Sequence, residues 1–223
     1  MNIEKSDYHC GEWRQRGISL IEGVLYLVIA LAVIIGGIVF FQQAQRSAKI
    51  TETARVLTAI SSQMMANGQY IEGDWWRSDA YNDYLVKGGF VPGSWVNEYG
   101  NIEDPWGEEL YISADRGISG ELEIDIEINN APDYVCMRLT DVGYGNNAGS
   151  GVVGNDIVKI AVYSGSNQYI IYQKPGSPGF IDEMSDRGLN RDAWIAQLRQ
   201  NRIDACQGGG RILLYYGADH HYG

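Results

Sequence analysis

Histidine and cysteine are scarce in this 223-residue chain, with three of each, and the histidines are His9, His220 and His221. An enzyme needs a nucleophile, a base and a group to orient that base, or else a metal set, and so few imidazoles supply little of either. Asp219-His220-His221 forms a metal-ligand cluster on paper, but neighbouring side chains at a chain terminus tend to point apart and stay mobile. Three cysteines are too few for a disulfide scaffold. Basic residues also fall short: 17 Lys and Arg against 28 Asp and Glu leave a formal charge of −11, which argues against nucleic acid as the main partner. The glycine-rich GQGGGR around Gly208 to Gly210 lacks the Lys-Ser/Thr of a phosphate-binding loop and reads as a flexible turn. No cofactor is expected. With 45% hydrophobic residues the chain is too rich in order-promoting side chains to be disordered. Its 28 glycines, 15 tyrosines and 6 tryptophans beside only 5 prolines suit a β-rich, loop-rich surface protein.

What the chain does have is one long apolar run, from Ile18 to Phe41, with Glu22 as its single charge. As a helix at ~1.5 Å per residue it would extend ~36 Å, enough to cross a ~30 Å hydrocarbon core. A secretory signal peptide fits badly, because its apolar region is shorter, ~7–15 residues, and ends at a small-residue cleavage site. A simple membrane anchor fits the length, yet a carboxylate near the bilayer centre costs roughly 2.5–3.5 kcal/mol and asks for a partner. Upstream lies Arg14-Gln15-Arg16-Gly17, whose basic pair suggests cytoplasmic retention of the first segment. If the chain were cut after Gly17, Ile18 would carry a new α-amine about one helical turn from Glu22. In a packed array the carboxylate of one subunit could then neutralise the amine of the next.

Arg-Gln-Arg-Gly, then Ile-Ser-Leu-Ile-Glu, then an apolar helix resembles the prepilin signature of type IV pilins. The resemblance implies cleavage by a prepilin peptidase between Gly17 and Ile18, N-methylation of Ile18 and a role for Glu22 in filament assembly. A first mature residue other than phenylalanine and a 17-residue leader resemble the type IVb branch. Asp104-Pro105-Trp106-Gly107, a turn signal before EELYIS, is similar to the turn that precedes the first strand in many pilins and pseudopilins. Loss of the leader would remove Cys10 and leave Cys136 and Cys206 as an even pair, which in an exported head usually joins. In type IV pilins a C-terminal disulfide bounds a variable region, here 136–206, for which loop closure gives ~4 kcal/mol. Two buried free thiols are the alternative.

Beyond Phe41, Ile50, Ala54, Leu57, Ile60 and Met64 recur at helical spacing, so one helix is expected over 18–66, its first part (18–41) crossing membrane or forming a fibre core. Gly36-Gly37 offers a place to bend or to pack closely against another helix. The head, 67–223, is expected to be α+β, with the amphipathic half of the helix on an antiparallel sheet. A short helix is expected after Ser78. Gly120 to Ile128 alternates, with Leu122, Ile124, Ile126 and Ile128 on one face and Glu121, Glu123, Asp125 and Glu127 on a solvated face. Further strands are expected at 157–163, 168–173 and 211–216, a loop over 143–155, and a helix capped by Asn190 with Trp194, Leu198 and Ala205 on neighbouring turns.

Together these features lead to the expectation of a non-enzymatic pilus subunit with other pilin subunits, the prepilin peptidase and the assembly machinery as partners, held in the inner membrane and then displayed in an extracellular fibre. A minor pilin or pseudopilin is the nearest alternative. A membrane-anchored enzyme or sensor head is the alternative from another class.

Overall fold

The computed structural model describes residues 19–67, 78–116, 122–142, 157–175 and 178–217. The leader, Ile18, the 143–155 loop and the terminal histidines lie outside the described residues. The chain divides into two compact units, 1–45 and 46–223.

Helix α1 runs from Leu20 to Ala66 without interruption at Gly36-Gly37. It begins two residues later than expected because Ser19 caps it: the Glu22 amide donates to Ser19 Oγ at 3.2 Å. Its second half carries the expected stripe, and Leu57, Ile60 and Met64 are fully buried. Full burial of such side chains stabilises the fold by roughly 1.5–3 kcal/mol each. Polar residues on that face satisfy themselves locally: Thr53 Oγ1 donates to the Lys49 carbonyl at 2.9 Å and Ser61 Oγ to the Thr58 carbonyl at 3.1 Å. Asn67 ends the helix by donating its side-chain amide to the Gln63 carbonyl.

The head is α+β. After α2 (Ser78–Lys87) and a 3₁₀ turn (Gly93–Trp95) come β1 (Leu110–Arg116), β2 (Leu122–Ala131), α3 (Asp133–Leu139), β3 (Ile157–Ser164), β4 (Asn167–Gln173), α4 (Pro178–Asp186), α5 (Arg191–Cys206) and β5 (Gly210–Gly217). The five strands form one antiparallel sheet in the order β1-β2-β5-β3-β4. The last strand therefore lies at the centre, between strands that precede it in sequence. In register, Ile112, Ile126, Leu214 and Ile160 cross the sheet as one buried row, and α1 contributes Ile50, Leu57, Ile60 and Met64 to the same core.

Asn190 caps α5 as expected, accepting from the Ala193 amide at 2.9 Å, and Trp194, Leu198 and Ala205 are buried. Trp194 and Leu198 pack with Phe180 of α4 and with Ile170 of β4. Asn201 of α5 donates to the Ile170 carbonyl at 2.9 Å, satisfying a group on the edge strand. Helices α3 and α4 are additions to the sequence reading. Each is shorter than ten residues, too short for a helical period to stand out, although Asp133 in the first turn and Arg138 in the last turn of α3 match the helix dipole.

One expectation is corrected. The acidic row of β2 is not a solvated face: Glu123 is only 6% exposed, and Asp125 and Glu127 are half-buried. The flanking strands account for this, because Asp125 lies between Ser113 and Tyr215, and Glu127 between Tyr111 and Leu213. Arg211 reaches Glu127 at 3.2 Å and stacks on Tyr163, 4.3 Å from the ring centre. Neighbouring strands thus supply cover and counter-charge to a row that appears fully wet when β2 is taken alone.

Candidate functional site

The described part of the first unit is dominated by the apolar half of α1. From Leu20 to Phe41 every residue of α1 is exposed and Glu22 is the only charge. This is the one helix among the described residues long and apolar enough to cross a membrane. Gly23, Gly36 and Gly37 have no intrachain reason to be glycine, since an added Cβ at each would meet nothing within 4 Å. Small residues on such a helix permit another helix to approach closely.

Glu22 occupies the third position of α1, counting from Leu20. Together with Ser19 it forms Ser-x-x-Glu, the pattern of a reciprocal capping box, in which the Glu or Gln side chain can reach back to the amide of the capping residue. The positive end of the helix dipole further favours a carboxylate here. Alongside the expected assembly role of Glu22, the Ser-x-x-Glu spacing at the start of the apolar run is a local signal for helix initiation. Gly17 and Ile18, the expected cleavage and methylation positions, lie outside the described residues.

The second unit holds the expected disulfide. Cys136 of α3 and Cys206, the last residue of α5, are bonded, with both residues fully buried. Thr140 Oγ1 donates to the Cys136 carbonyl at 2.6 Å and lies 3.8 Å from Cys206 Sγ. A second clasp joins the same helices. Arg202 pairs with Asp141 at 2.9 Å and donates to the Met137 carbonyl at 2.5 Å, filling an acceptor in the last turn of α3. Arg202 gives no periodic signal in the sequence, and its partners are more than 60 residues away.

The Asp104-Pro105-Trp106-Gly107 turn feeds β1 as expected. Asp104 Oδ1 accepts from the amides of Trp106 (2.8 Å) and Glu108 (3.0 Å), the Gly107 amide closes the turn on the Asp104 carbonyl, and Gly107 adopts φ +89°. That angle favours glycine. Burial pushes the Asp104 carboxyl above the usual carboxylate range, against the opposing pull of those amides. Trp106 Nε1 donates to Tyr134 Oη at 2.8 Å, Arg46 stacks on Tyr134 at 5.2 Å, and Lys49 donates to the Pro105 carbonyl at 3.2 Å.

A shallow cleft of about 440 Å³ lies at one end of the sheet, lined in part by Asn130, Tyr163, Gly165, Gly209 and Arg211. Its glycines have packing reasons: a Cβ on Gly209 would strike the Ala131 carbonyl at 2.5 Å, and one on Gly210 the Tyr163 carbonyl at 2.6 Å. Arg211, the charged group on its wall, is already engaged with Glu127 and Tyr163. Among the described residues no group of three or more His, Cys, Asp or Glu could hold a metal ion.

The class these features define is an α+β head on a long, apolar N-terminal helix, an arrangement consistent with a pilin-like fold. No family model, curated protein or solved structure matches the chain.

Proposed function

We propose that the chain is a structural, non-enzymatic subunit of a type IV pilus, resembling the type IVb branch, that waits in the inner membrane and polymerises into an extracellular fibre. The observation that carries this reading is the exposed apolar surface from Leu20 to Phe41, continuous with a helix whose later half is core to the head. Such a surface is stable only against lipid or against other apolar helices. Exchanging one for the other yields little hydrophobic gain, so close packing at small residues must hold the array together, and Gly23, Gly36 and Gly37 fit that use. The partners are further copies of the subunit, a prepilin peptidase acting after Gly17 and an assembly machine that lifts subunits out of the bilayer.

Glu22 provides the test, because its two roles respond differently to substitution. Glu22→Gln keeps a capping-box side chain but removes the charge, while Glu22→Ala removes both. Neutralising the span leaves membrane insertion intact or improved, and processing after Gly17 continues. If the carboxylate meets the α-amine of a neighbouring subunit, both variants, as the sole copy, lose most sheared fibres relative to total cellular subunit. Wild-type fibre yield from Glu22→Gln would refute the pairing, and absence of fibres from the wild-type strain would refute the pilus reading itself.

A further inference from the structure

We infer that the cleft at the end of the sheet, between Asn130 and the Tyr163–Arg211 pair, is a binding site for a neutral sugar. Its volume of about 440 Å³ falls within the roughly 300–1,000 Å³ of small-molecule sites. The charge of its lining decides the class of ligand. Arg211 is the one charged side chain among the described residues that line it, and the Glu127 carboxylate, 3.2 Å from the guanidinium, balances that charge. An anion would have to compete with Glu127 for Arg211, and a cation would meet the guanidinium with no carboxylate on the wall to offset it. Three polar side chains and the Gly208–Gly210 run give an apolar ligand little surface to cover.

Around this balanced centre the same three side chains keep polar atoms that no other described residue uses. Asn130 donates its amide to Glu108 at 3.3 Å, which leaves Oδ1 as an acceptor. The Tyr163 hydroxyl can both donate and accept, and Arg211 gives an Nη1 proton to Glu127 while the rest of its five donors stay available. A sugar ring carries no charge, and each of its hydroxyls donates and accepts, so it matches this mixed set. The set is also held in place before a ligand arrives. Asn130 sits at φ +44°, the only non-glycine residue in the left-handed region among the described residues, a conformation that asparagine tolerates. Arg211 stacks on the Tyr163 ring, 4.3 Å from its centre, and Gly209 and Gly210 are packed against the carbonyls of Ala131 and Tyr163. Fixed walls lower the ordering cost of binding.

The test uses the full chain in a zwitterionic detergent without a sugar head, followed by saturation-transfer nuclear magnetic resonance. The probes are the methyl glycosides of glucose, galactose, mannose and N-acetylglucosamine, with glucuronate and glucosamine as charged controls. At least one neutral glycoside is expected to take up saturation from the protein, and both charged controls less. Tyr163→Phe removes one hydroxyl and keeps the ring under Arg211, while Asn130→Gly removes the acceptor and keeps a residue suited to positive φ. Each is expected to weaken binding of that glycoside about three- to tenfold, the effect of one hydrogen bond, with circular dichroism unchanged. Capture of the protein on beads that carry the same sugar at the end of an oligosaccharide assigns the cleft to glycans; transfer to the glycoside without capture assigns it to free sugar. No transfer to any neutral glycoside at tens of millimolar, stronger transfer to a charged control, or affinity unchanged in the folded variants overturns the inference. The variants lie on different strands, so either one decides the matter if the other misfolds. Neither touches α1, and a negative result leaves the pilus reading in place.

Discussion

Removing the Cys136–Cys206 bond separates two sources of stability in the head. The cysteines are 70 residues apart, and restoring freedom to a loop of that size in the unfolded chain costs the native state ~4 kcal/mol in the loop-entropy treatment. Arg202 still joins α5 to Asp141 and to the Met137 carbonyl of α3, so the folded geometry is expected to survive and the loss to act through the unfolded ensemble. Cys136→Ala/Cys206→Ala is the cleaner perturbation, since it leaves no buried thiol. Full-length protein in detergent is unfolded with urea and followed through its buried tryptophans, Trp95 and Trp194. With a slope of ~2–3 kcal/mol per molar the midpoint falls by roughly 1.3–2 M, and far-ultraviolet circular dichroism without urea stays unchanged. A midpoint shift under about 0.5 M would refute the entropic argument. Native exported protein with both thiols open to alkylation would refute the pairing.

Sheared fibres analysed by intact mass are expected to contain a chain that begins at Ile18 and carries one added methyl group; retention of residues 1–17 in fibres contradicts the cleavage. Asp104→Asn is expected to alter the pH profile of the head. The raised carboxyl binds its proton more tightly folded than unfolded, so its contribution to stability is full below the ordinary pKa near 3.8 and is lost as pH rises through the higher folded value. Asparagine does not titrate, and the stability difference between variant and wild type therefore rises in favour of the variant across that window. Urea midpoints measured from pH 3 to 7 check it, and a flat difference argues against the burial penalty.

The apolar run, its lone carboxylate, the amphipathic continuation of α1, the alternation of β2 and the Asn190 cap are all local patterns with a period or a fixed offset. A helix or strand must present those residues in that arrangement whatever surrounds it, which is why they were legible from residue order. Short α3 and α4 escaped because two turns do not establish a period. Tertiary structure alone decided the rest. The insertion of β5 between β2 and β3, the clasp of Arg202 on α3 and the meeting of Tyr134 with Arg46 and Trp106 join residues with no fixed spacing in sequence. The face of β2 that carries Glu123 and Asp125 makes the same point: alternation separated it from the apolar face, but only the neighbouring strands determined how much water it keeps. Burial is a property of what lies across and beside a residue, and a strand's own sequence does not contain its neighbours.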